Sequence, residues 1–262
     1  MAEESLVAQR EGAVLRLTMN RPERMNAVDH DLSDHFERAL LAARAPEVRS
    51  VVVAGSGRAF CAGLDLRSVQ DAYESGPPML GNWVRHDFNP IVRALLAVEK
   101  PIVAAVAGVA AGAGMGLALA CDYRIVEPDS RFILAFPGVG VGLDTGVSFF
   151  LPRLVGLGRA WQIVLDPRPI GGEEAVAIGL AQELAPAGGA LERAMALASR
   201  LAEGPTIAYG LIKRAFLHAA SSDVESALDH EAELQDLAGR SQDHLESVRA
   251  FLAKRAPRFA GQ

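Results

Sequence analysis

The longest apolar stretch of the chain runs from residue 101 to residue 119 and is interrupted by four glycines, at 108, 112, 114 and 116. Glycine costs a helix interior about 1 kcal/mol relative to alanine, and a membrane span needs about 20 continuous apolar residues. The stretch therefore reads as a buried strand over 101–106, a turn, and a short helix over 112–120, not as a membrane helix. A strand joined so tightly to a helix must bury both in packed layers, which constrains the chain around it to an α/β arrangement.

The flanking sequence repeats that alternation. Residues 14–19 alternate apolar and polar side chains, as a half-buried strand does, and Leu32, Phe36, Leu40 and Leu41 share one side of a helix over 31–43. Residues 50–54 are a continuous, mostly β-branched run, the pattern of a strand buried on both faces, and Gly55-Ser56-Gly57 closes it as a turn. Helical spacing returns over 83–98, residues 123–126 are strand-like, and 147–154 and 159–165 are helical. Beyond about residue 190 the character changes: 191–202, 205–219, 224–238 and 242–254 read as successive helices. Pro205 suits a first turn, and Asp223 and Ser241 suit N-caps. The chain divides into an α/β core over 1–200 and a helical segment over 201–262. The helices of that segment either cover the core of their own chain or pack on a neighbouring subunit. The Pro- and Gly-containing segment 74–81 reads as a mobile loop.

A net charge of −6 and a pI near 5.6 argue against a nucleic-acid partner, which calls for a basic surplus. They leave room for an anionic ligand, because a few cations and helix N-termini suffice to hold one. With 262 residues, 50% of them hydrophobic, the chain can bury a large core. Cys61 and Cys121 have neither disulfide nor zinc spacing and read as small core residues. The start, MAEESLVAQREG, lacks the basic and apolar regions of a signal peptide. The expectation is a cytoplasmic protein with no membrane or nucleic-acid partner and no metal.

Two segments carry the chemistry. GRAFCAGLDL (57–66) follows a buried strand and ends near a helix start at Asp65, and GVAAGAGMG (108–116) leads from strand to helix. Small residues let a ligand approach the backbone, and a helix N-terminus offers unpaired N–H groups with partial positive charge. Two such donors aimed at one carbonyl oxygen form an oxyanion hole. The second segment fits the dinucleotide-binding pattern poorly, because its last glycine has the wrong spacing. Taken alone, it is equally a site of tight helix–strand packing.

Those segments, together with NRPERMNA (20–27), Lys100-Pro101, LPRLVGLGRA (151–160) and FLAKRAPRF (251–259), resemble the enoyl-CoA hydratase/isomerase (crotonase) superfamily in order and spacing over essentially the whole chain. The resemblance implies a spiral of repeated ββα units followed by an α-helical trimerisation segment, assembled as a homotrimer or hexamer. It implies an acyl-CoA thioester as substrate, with CoA part of the substrate and no separate cofactor. It places the oxyanion N–H groups at Leu64 and Ala113, and substrate or CoA contacts at Arg24, Ala62, Asp65 and Gly112. Lys254 falls where a neighbouring subunit can reach the phosphates. Arg24 and Lys254 are otherwise solvated surface charges, and Asp65 a helix N-cap. Asn89 lines the acyl pocket or caps the helix before Pro90.

Hydratases of this family use two glutamates that hold one water. Here the matching positions are Gly116 and Gly138, neither of which can move a proton. One carboxylate remains, Asp144, in a sequence similar to those of enoyl-CoA isomerases and ring-1,2-epoxyphenylacetyl-CoA isomerases. The chain departs from them with Leu143 before the aspartate and Val147-Ser148 after it. A lone carboxylate beside an oxyanion hole can shuttle a proton, and an apolar pocket would raise its pKa. Asp144 has two other readings: a helix N-cap, and the attacking nucleophile of a dehalogenase-like or hydrolase-like enzyme. The rival of a different class is a non-catalytic acyl-CoA-binding trimer, against which the retained Asp144 argues. A hydratase-like lyase is the remaining alternative activity.

Overall fold

The computed structural model describes residues 4–74 and 76–262. Alternation over residues 14–19 becomes strand β2 (Val14–Met19), hairpinned to β1 (Leu6–Glu11). Helix α1 (His30–Ala42) starts where the Asp29 carboxylate accepts from Leu32 N–H. Strand β3 (Ser50–Gly55) follows, then the short β4 (Ala59–Cys61). Helices α2 (Gln70–Glu74), α3 (Leu80–Trp83) and α4 (Asn89–Ala97) come next, with a π-helical turn over Val84–Phe88 between the last two. The glycine-broken stretch becomes β5 (Ile102–Val106), β6 (Val109–Ala111) and α5 (Ala113–Ala120). Strands β7 (Tyr123–Val126) and β8 (Arg131–Ile133) precede α6 (Val147–Val155) and α7 (Leu157–Leu165). Then come β9 (Ile170–Gly171), α8 (Gly172–Ala177) and β10 (Glu183–Leu184). The chain ends in α9 (Ala190–Ala202), α10 (Thr206–Ala219), α11 (Val224–Gly239) and α12 (Gln242–Leu252).

Two sheets result. The larger has the order β1-β2-β3-β5-β7-β10 and is parallel apart from its β1–β2 edge, and the smaller has the order β4-β6-β8-β9. Each of β3, β5 and β7 leaves the large sheet and feeds a short strand of the small one, which gives the expected repeated ββ turns. The period-2 rule assigns the two faces of the large sheet. Val51, Val53, Ile102 and Ala104 pack in one cluster with residues of α1, α4 and α5. Val52, Ala54, Val103 and Ala105 pack on the other face against Ala194, Leu197 and Ala198 of α9. Coverage of both faces is why these strands read as uninterrupted apolar runs. No helix among the described residues is long and apolar enough to cross a membrane.

The C-terminal helices are tied to the core by polar contacts. Arg49 donates to the Gly204 and Phe259 carbonyls and to Thr206 Oγ1, and Lys213 pairs with Asp122 at 3.1 Å. The predicted loop over 74–81 is shorter than expected, since Glu74 closes α2 and Leu80 opens α3; Ser75 lies outside the described residues, as do residues 1–3 of the acidic N-terminal stretch.

Candidate active site

The NRPERMNA segment builds the scaffold of the site. Asn26 is fully buried with a positive φ of 54°, and its amide donates to the Ser56 and Ala59 carbonyls while its Oδ1 accepts from Arg21 N–H. Arg21 reaches Asp65 at 2.9 Å and Asp29 at 2.8 Å. These contacts hold the segment 62–64 in place after β4. Within it, Val28 N–H donates to Gly63 O and Asp65 N–H donates to Val28 O. That parallel bridge skips the Leu64 N–H, which is left without a backbone acceptor among the described residues.

The second donor comes from α5. Gly112 precedes the helix with φ 51° and ψ −121°, a conformation available to glycine, and gives its own N–H to Ile133 O. Ala113 is the first helical residue, so its N–H has no partner inside the helix. The two donors are neighbours, because a Cβ added at Gly63 would sit 3.3 Å from Ala113 N. Gly114 permits the approach: a Cβ there would lie 2.1 Å from the Cys61 carbonyl oxygen. Gly114→Ala is thus expected to push α5 away from β4. It should cost about 2 kcal/mol or more by overpacking, seen as a melting point lower by roughly 5 °C or more, and should separate the two N–H groups.

Leu64 and Ala113 open on a cavity of about 590 Å³ that also touches Ala62, Gly112, Asn89 and Asp144. Its walls are mostly apolar, with Leu66, Leu80, Trp83, Phe88, Phe136 and Val141 among them. Asp144 is half-buried there, and desolvation raises its pKa above the ordinary carboxylate value although a hydrogen bond from Thr145 acts the other way. Thr145 Oγ1 donates to Asp144 Oδ1 at 2.7 Å. Helix α6 begins after Gly146 without a side-chain cap, so the N-cap reading of Asp144 does not hold. Because the folded state keeps this proton to higher pH than the unfolded chain, stability falls as pH rises from the ordinary carboxylate pKa through the raised folded one. Asp144→Asn removes that cost. The variant is expected to melt above the parent at pH 7, with the difference vanishing near pH 3, where both states of the parent hold the proton.

The helix starts expected at Asp65 and Asn89 need correction. Asp65 does not start a helix: its Oδ1 accepts from Arg67 N–H in a turn, helix α2 begins at Gln70, and the carboxylate is 6% exposed and engaged by Arg21 outside the cavity lining. Asn89 is not an N-cap, since its backbone is helical and continues the turn before it, but it does line the cavity. Arg24 closes a short 3-10 turn, and Lys254 is exposed past α12; neither lines the cavity of its own chain. Both cysteines are buried, and burial pushes each thiol up to about 12, as befits core residues. Among the described residues no group of three or more His, Cys, Asp and Glu is placed to hold a metal ion. Arg21 and Asn26 carry the scaffold of the site, although the sequence marked them only as part of a motif.

The positions of the hydratase glutamates are informative. A Cβ at Gly116 would lie 2.6 Å from Thr145 O, whereas Gly138 faces open space. The sequence profile of the enoyl-CoA hydratase/isomerase family matches residues 9–262. The chain belongs to the enoyl-CoA hydratase/isomerase family. The 1,2-epoxyphenylacetyl-CoA isomerase of Escherichia coli (strain K12) is 38% identical over 261 residues, 99% of each chain. The crotonyl-CoA hydratase of Syntrophomonas wolfei is 33% identical over 266 residues, again 99% of each. A crystal structure of an enoyl-CoA hydratase/isomerase from Cupriavidus metallidurans CH34 superposes with a TM-score of 0.91 at 29% identity, covering 100% of this chain and 98% of that one. The two sheets and the C-terminal helices are therefore those of a crotonase-type fold, and this member of the family has relatives named for both activities.

Proposed function

We propose that this family member shifts a double bond along an acyl-CoA thioester through an enolate. The observation that carries the reading is the pairing of two open N–H groups, at Leu64 and Ala113, with a cavity whose one carboxylate among the described lining residues is Asp144. The thioester oxygen accepts from both N–H groups, which acidifies the C2 proton. Asp144 takes that proton as the C2–H bond breaks, the double bond moves from C3–C4 to C2–C3, and Asp144 returns the proton at C4. No group besides the substrate's own CoA is needed. Addition of water has no carboxylate at 116 or 138 to support it.

Tyr73 and Trp83, stacked 6.3 Å apart with their planes 17° from parallel, join Phe88 and Phe136 in the cavity wall. Flat aromatic walls suit a planar acyl group, and the resemblance to 1,2-epoxyphenylacetyl-CoA isomerase supports a ring-derived thioester. The assay is isomerisation of a 3-enoyl-CoA run beside hydration of crotonyl-CoA. Isomerisation with negligible hydration is expected, and hydration as the faster reaction would refute the assignment.

The same proposal includes assembly with copies of itself. Ile212, Phe216 and Leu228 are exposed along one groove of the C-terminal helices, and Val248, Phe251 and Leu252 are exposed on the last of them, apolar surface that calls for a partner. Light scattering is expected to give three or six times the 27.7 kDa of one chain, and a monomer would contradict it.

A further inference from the structure

Asp144, Thr145, Gly146 and Val147 form a four-residue turn in which Val147 N–H donates to Asp144 O at 2.9 Å. Both central residues have positive φ, 49° at Thr145 and 76° at Gly146. That is the signature of a type I′ turn, whose central positions favour glycine, asparagine or aspartate. A β-branched residue there is an outlier, and sites that retain such strain are commonly functional. Thr145 is also 1% exposed, so solvation of its hydroxyl does not explain the choice. Its hydroxyl spends its donor on Asp144 Oδ1. On its other side its backbone and methyl fill the space beside Gly116, where an added Cβ would meet Thr145 O at 2.6 Å, Cβ at 2.8 Å and Cγ2 at 3.0 Å. Gly116 belongs to α5, the helix whose first N–H is the Ala113 donor.

We infer that Thr145 is a positioning residue that ties the Asp144 carboxylate to the oxyanion helix, and that the bare backbone of Gly116 exists to seat it. The hydroxyl holds Oδ1, which leaves Oδ2 for the substrate, while the contact with Gly116 fixes the distance between base and oxyanion donors. It follows that this strained turn and a hydratase-type carboxylate at position 116 are mutually exclusive occupants of one space. The inference rests on the reading of Asp144 as the proton shuttle. The other ionisable groups on the cavity wall are Tyr73 and Arg85, and neither contributes to the raised pKa of Asp144, which has only desolvation and the Thr145 hydroxyl as causes.

The test compares Thr145→Gly, Thr145→Ser, Asp144→Asn and Gly116→Glu by melting point and by the pH dependence of isomerisation and hydration. Glycine relieves the left-handed strain but empties the buried space that the threonine methyl fills, so Thr145→Gly is expected to melt within a few degrees of the parent. Its kcat is expected to fall roughly 10- to 100-fold as the carboxylate loses its fixed orientation, with KM little changed. Its acidic limb should move to higher pH, because the lost hydrogen bond favoured the carboxylate. Thr145→Ser, which keeps the hydroxyl, should hold both kcat and limb near the parent values. Gly116→Glu should lose isomerisation without gaining hydration. A Thr145→Gly enzyme with parental kcat and limb, beside an inactive Asp144→Asn, would overturn the positioning role while leaving the shuttle intact. Full activity in Asp144→Asn would overturn both. Hydration gained by Gly116→Glu with isomerisation retained would overturn the exclusion.

Discussion

Asp144→Asn lowers the rate of double-bond isomerisation by roughly 10²- to 10⁴-fold, the range that removal of a general base produces, while acyl-CoA binding persists. Asparagine keeps the shape and can still accept from the Thr145 hydroxyl that now bonds Oδ1. The apolar wall around it is unchanged. What disappears is the group that can receive a proton from C2 and return it at C4. The size of the loss follows from the absence of a stand-in, since the other ionisable groups on the wall are Tyr73 and Arg85. Steady-state kinetics with a 3-enoyl-CoA, paired with calorimetric titration of a saturated acyl-CoA, checks both halves: kcat falls and affinity is retained. A variant within tenfold of the parent would mean that the proton moves by another route.

Ala113→Pro is the second large effect. Proline is well tolerated at the first position of a helix, where the missing N–H has no intrahelical partner. Ala113 occupies that position in α5, and the glycine before it adopts φ 51° and ψ −121°, the mirror image of the extended geometry that precedes proline. The substitution deletes one oxyanion donor and sets the ring Cδ where its hydrogen stood, at the mouth of the hole. Loss of one such donor costs about 3–4 kcal/mol of transition-state stabilisation, or roughly 10²- to 10³-fold in kcat. The lost donor lowers kcat, because negative charge on the thioester oxygen develops only as the enolate forms, and the ring Cδ in its place raises KM as well. A melting curve close to the parent's, recorded on the same sample, separates a lost donor from a damaged helix. Unchanged kcat in a folded Ala113→Pro protein would remove Ala113 from the oxyanion hole.

The long strands were legible because burial on both faces leaves a run such as Val51-Val52-Val53 with no competing pattern. The strands of the small sheet were not. Ala59–Cys61, Val109–Ala111 and Arg131–Ile133 have three residues each, too few to show a period of two. Asp144 stood out by position, and the structure adds the desolvation and the Thr145 bond that sequence cannot supply. The capping roles considered for Asp65, Asn89 and Asp144 were reasonable local chemistry that tertiary structure overrode. Arg21 claims Asp65, a π-helical turn runs into Asn89, and Gly146 separates Asp144 from its helix. The left-handed backbone of Thr145 had no sequence signal at all, since threonine is among the last residues a turn rule would place there.

The most direct test of a lone carboxylate acting on an oxyanion-stabilised enolate is mass spectrometry of a 3-enoyl-CoA incubated with the enzyme in D₂O. The account predicts a 2-enoyl-CoA product with no water added, with deuterium entering the acyl chain only as far as the proton held by Asp144 exchanges with solvent before its return, and no such product or label with Asp144→Asn. A product heavier by one water, or label entering at the parental rate without Asp144, would contradict it.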